Sequence, residues 1–294
     1  MDANIKENAS FPDTIAINAS GKKVSIKAFD ASEDSQNLNQ QVVNIFASGP
    51  SIADLVFDED LVSTPSIFVN GSLSLTNEHA FSKIVGYVIS DARFISNNPE
   101  VLIRYYKGQP LYATLAVYEA MSTNLPDLIS QYHHKMRVIF PADRPLHSRD
   151  NKQWLTSLPI LKKLVNKKIA LSKLVDHSSF VIDVYHKPEA IGVSLDVTDG
   201  FIEAGTVAYI AAQLAFSRKA GAIHLYGIDL LNSNQPRFYE NNDNHAPSKL
   251  DKAITDRIVP SFNLLGRVYK EQGTTVYNHS PISKELFKDL NVNF

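Results

Sequence analysis

The stretch from Gly205 to Leu230, GTVAYIAAQLAFSRKAGAIHLYGIDL, leaves the chain few folds to choose from. Val207, Ile210, Ala211, Leu214 and Ala215 recur at helical spacing, and Gly221 follows the basic pair Arg218 and Lys219, so the pattern predicts a helix ending near Ala220. Ile223, Leu225, Tyr226 and Ile228 then make a short apolar run bounded by Gly221 and by Asn232, Ser233 and Asn234, which fits a core strand covered on both faces. Gly227 and Asp229 fall where that strand runs out. Ligands of open α/β sheets bind outside the carboxyl ends of the strands. Asp229 therefore either meets a ribose or substrate hydroxyl there or caps the next turn.

Upstream segments repeat the pattern. Val42, Val43, Ile45, Phe46 and Ala47 read as a buried strand, followed by the small-residue turn Ser48-Gly49-Pro50-Ser51 and a helical start at Ile52, Leu55 and Val56. Such a turn exposes backbone N–H groups to an anion, and a helix N-terminus adds its dipole; Gly-Pro turns are also common structural punctuation. Further strands are expected at Ser66 to Val69, ending in Asn70, at Lys83 to Ile89, ending before Asp91, at Leu111 to Val117, at Met136 to Phe140 and at Thr274 to Tyr277. Helical segments such as Tyr118 to Gln131 alternate with them, as do residues from Leu250 to Lys270. The expected fold is α/β: one Rossmann-like, mostly parallel sheet with crossover helices. Residues 1–40 are polar and read as an N-terminal extension holding a hairpin, Thr14 to Asn18 and Lys23 to Phe29, so the catalytic fold, 41–294, is expected to start near Gln41.

Two inserts interrupt the alternation. In 143–180, the segment Pro159 to Val175 sets Leu161, Leu164, Val165, Leu171, Leu174 and Val175 near one helical face, with Lys162, Lys163, Lys167, Lys168 and Lys173 largely elsewhere and Trp154 upstream. This basic amphipathic helix either meets a membrane surface or packs its apolar face on the sheet. Residues 231–249 form a long Asn-rich loop of the kind used as a lid, where Arg237, Tyr239 and His245 have the chemistry to act.

A net charge of -2 opposes nucleic acid as the main partner, and the absence of cysteine removes thiolate nucleophiles and disulfides. No apolar run is long enough to span a bilayer, and the start of the chain lacks a signal core, so a cytoplasmic location is expected.

Taken in order, SGPS at Ser48 to Ser51, VNGS at Val69 to Ser72, SDARF at Ser90 to Phe94, TVAYIAAQLAFS with GIDL between Thr206 and Leu230, and PRFYE with PSKL between Pro236 and Leu250 resemble the Kdo transferases that add a third Kdo to the lipopolysaccharide inner core. They are more distantly similar to bacterial CMP-sialic-acid-dependent sialyltransferases. The resemblance covers about Val42 to Lys270 and implies a GT-A-like sialyltransferase variant of the Rossmann-like fold with a small helical lid. It implies inverting transfer from CMP-Kdo to a lipid A-Kdo type acceptor at the inner face of the inner membrane, with no cofactor and no obligatory metal. A sialyltransferase using another CMP-sugar is the alternative, and a non-catalytic nucleotide- or glycan-binding protein on the same scaffold is the alternative of another class. Peripheral membrane contact would run through Pro159 to Val175, and an oligomer is compatible with the sequence.

By family position, Ser48, Gly49, Pro50 and Ser51 would cradle the nucleotide, Asn70 would hold phosphate or sugar, and Gly227 and Asp229 would bind the ribose. Ala204, Gly205 and Thr206, at a helix N-terminus, would receive the donor carboxylate. Arg237 and Tyr239 suit the leaving phosphate. His245 falls near the place of the sialyltransferase base, and Asp91, with Arg93 beside it, is the other candidate. Glu203 is an acid where a small polar residue is expected, and it should point away from the donor carboxylate.

Overall fold

The computed structural model describes residues 11–145, 168–230 and 251–292. In chain order the strands are β1 (Thr14–Ala19), β2 (Lys22–Ala28), β3 (Val42–Phe46), β4 (Ser66–Val69), β5 (Ile84–Ile89), β6 (Leu111–Ala113), β7 (Met136–Val138), β8 (Phe180–Asp183), β9 (Ile191–Ser194), β10 (Ala222–Tyr226) and β11 (Thr275–Asn278). All but β8 and β9 join one sheet, ordered β1-β2-β7-β6-β5-β4-β3-β10-β11. Every pair is parallel except β1 with β2. Helices α1 (Glu59–Ser63), α2 (Ala92–Asn97), α3 (Pro99–Tyr105), α4 (Leu115–Asn124), α5 (Pro126–Tyr132), α6 (Val207–Ser217) and α7 (Val259–Glu271) fill the crossovers.

The sheet order reverses at β3, which is flanked by β4 and β10. That is where a parallel α/β sheet opens a crevice at its carboxyl edge. Strands β3 and β10 are apolar on the face that the helices cover, while the other face also carries Asn44 and His224. Val43, Ile45, Ile223 and Leu225 face α6 and α7, whereas Phe46 and Tyr226 stack on the other side at 5.2 Å. Burying each of these aliphatic side chains contributes about 1.5–3 kcal/mol. Helix α6 is buried along nearly its whole length, which explains an apolar pattern with almost no polar face.

Several expectations need correction. The fold does not start at Gln41: the hairpin is present, but β2 pairs in parallel with β7, so residues 14–28 extend the sheet by two strands. Its alternation of exposed and buried residues in β1 is that of an edge strand packed on one side. Helix α6 stops at Ser217 rather than near Ala220, and the left-handed residue of its C-cap is Lys219, at φ +63°. Strand β6 ends at Ala113, since Thr114 already starts α4, and Pro126 divides the expected helix 118–131 into α4 and α5. The basic helix does not run to Val175: residues 168–170 are irregular and Leu171–Leu174 is a 3-10 turn. Residues 159–167 lie outside the described residues, as do 231–249. An antiparallel pair, β8 and β9, stands apart from the main sheet, and FVID and IGVS flanking Lys187-Pro188-Glu189 carry a hairpin signal for it. Among the described residues no helix is long and apolar enough to cross a membrane.

Candidate functional site

The turn after β3 and the acid after β10 meet at the carboxyl edge. The Ser51 amide donates to Asp229 Oδ2 at 2.6 Å and the Ser51 hydroxyl donates to Oδ1 at 2.7 Å. Gly49 N–H donates to the Gly227 carbonyl at 3.0 Å, and Ala47 N–H to that of Tyr226 at 2.8 Å. A side chain at position 49 has no room: its Cβ would lie 2.6 Å from the Gly227 oxygen and closer still to the Asp229 carboxylate. Glycine is thus what lets the two loops interlock.

Asp229 caps the turn, one of the two readings open from the sequence, yet a carboxylate has lone pairs beyond the two engaged here. Burial raises its pKa above the ordinary carboxylate value, and the Ser51 hydrogen bonds work in the opposite direction. The expected helix after the turn is only the 3-10 segment Pro50–Asp54, so any anion held there meets a single tight turn rather than the dipole of an α-helix.

Asn70 closes β4 with φ at +49°, in the left-handed region that asparagine tolerates better than most residues. Its side-chain oxygen is buried without a hydrogen-bond partner among the described residues. Such an acceptor costs about 1–3 kcal/mol. Its carbonyl receives the Tyr87 hydroxyl at 2.8 Å, and the Ser48 hydroxyl donates to the neighbouring Val69 carbonyl at 3.4 Å. Asp91 caps α2, and Arg93 grips both its oxygens at 2.5 to 3.0 Å. The Arg93 hydrogen bond holds its pKa below the ordinary carboxylate range, which makes Asp91 a weak proton acceptor.

Helix α6 runs back across the sheet into β10, so its N-terminus lies at this same edge. Ala204 is buried, Gly205 is exposed at φ +89°, and the Thr206 side chain makes no cap bond. Glu203 turns to Arg144, 3.4 Å away, as its charge predicts. Lys168 meets Asp143 at 3.2 Å, so at least one lysine of the basic segment has an acidic partner. The structure therefore brings Ser48, Gly49, Pro50, Ser51, Gly227 and Asp229 together, and sets Asn70, Asp91 and the Ala204–Thr206 turn along one edge. Arg237, Tyr239 and His245 lie outside the described residues. Among the described residues no three His, Asp or Glu side chains stand together as metal ligands.

Two features had no local signal. Arg257 lies against Gly205, brought there by the helix that feeds β11. Ser51 also borders a cavity of about 590 Å³ walled by Tyr226, His224 and His279. Tyr226 and His279 stack at 4.5 Å, and burial together with His279 lowers the His224 pKa to about 4, so that ring is neutral at pH 7.

The model of the family described as 3-deoxy-D-manno-octulosonic acid transferase WaaZ matches residues 28–288. A probable 3-deoxy-manno-octulosonic acid transferase of Salmonella typhimurium is 27% identical over 228 residues, which cover 75% of this chain and 76% of that one. One of the same description from Escherichia coli is 24% identical over 253 residues, covering 84% and 82%. The crystal structure of the monofunctional α-2,3-sialyltransferase Cst-I from Campylobacter jejuni aligns over 88% of this chain and 84% of its own, with 14% identity and a TM-score of 0.39.

Proposed function

The chain belongs to the family of 3-deoxy-D-manno-octulosonic acid (Kdo) transferases and is a glycosyltransferase; from that premise we propose that it moves Kdo from CMP-Kdo to a Kdo-bearing inner-core acceptor with inversion. The observation that carries this reading is the interlock of the Ser48–Ser51 turn with Asp229 at the point where the strand order reverses. A mononucleotide presents one phosphate and a ribose diol. The turn offers small residues and backbone, the buried carboxylate accepts from the diol, and Asn70 has an oxygen in want of a donor.

The acceptor hydroxyl attacks the anomeric carbon and loses its proton as the bond to the CMP phosphate breaks. We assign that proton to His245, because Arg93 already occupies both oxygens of Asp91. Arg237 and Tyr239 would meet the leaving phosphate, one with charge and the other with a phenolic donor. The lysines of residues 159–167 would hold the enzyme on an anionic lipid surface, an attraction that salt screens.

Titration with CMP and measurement of CMP release from CMP-Kdo and from CMP-sialic acid, with lipid A-Kdo presented in liposomes at rising salt, test the reading. Release from CMP-Kdo that depends on acceptor and declines with salt is expected. Asp229→Asn should weaken CMP binding about 30-fold while leaving the melting temperature unchanged or slightly higher, since it removes a charge that burial disfavours. A wild type without affinity for CMP sinks the proposal, and preference for CMP-sialic acid replaces the donor.

A further inference from the structure

Arg257 sits on the π turn Ile254–Ile258 that leads into α7, and α7 in turn feeds the parallel strand β11. A helix feeding a parallel strand begins at the carboxyl edge, so the turn and Arg257 lie on the side of the sheet that carries Ser51 and Asp229. Single π turns inside helices recur at functional positions, because the extra residue re-aims a side chain. Here Ile258 is buried and anchors the turn, which leaves Arg257 directed at Gly205. A Cβ on residue 205 would lie 2.8 Å from Arg257 Nη2 and 3.5 Å from Nε. With glycine there at φ +89°, the guanidinium reaches the open turn before α6.

The guanidinium has no partner among the described residues, where it makes no hydrogen bond and no ion pair. Arg93, Arg144 and Arg267 each hold a carboxylate within 3.4 Å, and Arg218 spends its donors on carbonyl groups. Glu189, Asp256 and Lys252 border a cavity of about 280 Å³ with Arg257, yet neither carboxylate comes within ion-pair distance of it. The fork of a free guanidinium matches a carboxylate in two parallel hydrogen bonds. The family's sugar is an octulosonic acid, so its carboxylate is ionised at neutral pH.

We propose that Arg257 is a specificity-determining residue that grips the carboxylate of a 2-keto sugar acid, beside Gly205. The assignment rests on the Kdo-transfer reading above and names a residue for it. Donor and acceptor both end in such a carboxylate, so the source is settled by kinetics.

The test compares wild type, Arg257→Gln and Arg257→Lys. Arg257→Gln should raise KM about 30-fold or more for the sugar acid it grips, while CMP, which lacks the carboxylate, binds within twofold of wild type. Arg257→Lys should recover part of that loss, because it keeps the charge but not the fork. A rise in the donor KM assigns the donor, and a rise in the acceptor KM the acceptor. Unchanged values for both overturn the proposal, as does a loss of CMP affinity in step with the sugar. Free Kdo titrated by NMR reads Arg257 even if the wild type binds no CMP. Weaker Kdo binding by Arg257→Gln supports the assignment and equal binding refutes it, so failure of the nucleotide reading stays separate from failure of this one.

Discussion

The two edges of the central sheet are built from similar residues and use them in opposite ways. At the amino edge, Arg218 is buried without a carboxylate partner, but its Nε donates to the Gln36 carbonyl at 2.7 Å, its Nη1 to that of Val85 at 2.8 Å, and its guanidinium lies 5.2 Å from the Tyr112 ring centroid. The Thr274 hydroxyl donates to Ala220 and the Leu38 and Gln40 amides to Arg218 and Lys219, so the polar groups around Arg218 are consumed internally. At the carboxyl edge, Asn70 keeps a buried oxygen without a donor, the α6 N-terminus has no side-chain cap, Arg257 has no partner among the described residues, and Asp229 is held where burial disfavours its charge. Unspent hydrogen-bonding capacity gathers around the Ser51–Asp229 turn at one edge, whereas the groups around Arg218 at the other are satisfied. This asymmetry locates binding more directly than any single motif does, since an edge selected only for stability would have satisfied these groups.

The contrast breaks most decisively at Gly49. Gly49→Ala forces a Cβ against the Gly227 oxygen and the Asp229 carboxylate, so the turn must shift by about an ångström, a displacement that can cost about 100-fold in turnover. CMP affinity should fall with it, and the melting temperature should fall as well because the obstruction is backbone. Activity near that of wild type would show that the turn does not cradle the donor.

At the opposite edge the expected loss is in stability. Arg218→Met leaves the Gln36 and Val85 carbonyls without their donor, at about 1–3 kcal/mol each, partly offset because a buried charge is also removed. A net loss of about 2–3 kcal/mol, seen as a fall of roughly 3–5 °C in Tm, is expected, with kcat/KM of the folded protein within twofold of wild type. Lost activity at an unchanged Tm would mean that the amino edge also takes part in function.

How much of this was legible in the sequence follows the range of each interaction. Strands β3, β4, β5 and β10 declared themselves because parallel core strands are continuous apolar runs, and their polar ends marked the carboxyl edge. The link between Ser51 and Asp229 spans 178 residues, and periodicity is silent about such pairs. The same holds for Arg257 against Gly205. The hairpin β1–β2 was readable as a hairpin, but its docking on β7 rests on two register pairs that local pattern does not encode. Residues 168–175 misled because Leu171 and Leu174 suit a helical face as well as the 3-10 turn that packs near Phe180.

The smallest effect separates the two candidate bases. Asp91→Asn keeps the side-chain oxygen that caps α2 and gives up only the charge paired with Arg93, an exposed pair that solvent screens heavily. Its pKa is lowered in the folded protein, so its stabilising contribution is complete above the ordinary carboxylate value of 3.8 and is lost as pH falls through the lowered value. The variant should therefore be slightly less stable than wild type at neutral pH, and the difference should close in acid. If His245 takes the acceptor proton, Asp91→Asn changes kcat by less than about threefold and leaves the acid limb of the pH–rate profile in place. A loss of about 100-fold or more, within the range that a general base supplies, would move the base to Asp91. Arg93 would then have to release one carboxylate oxygen as the acceptor binds, a rearrangement that Arg93→Met would mimic by raising the Asp91 pKa toward its ordinary value.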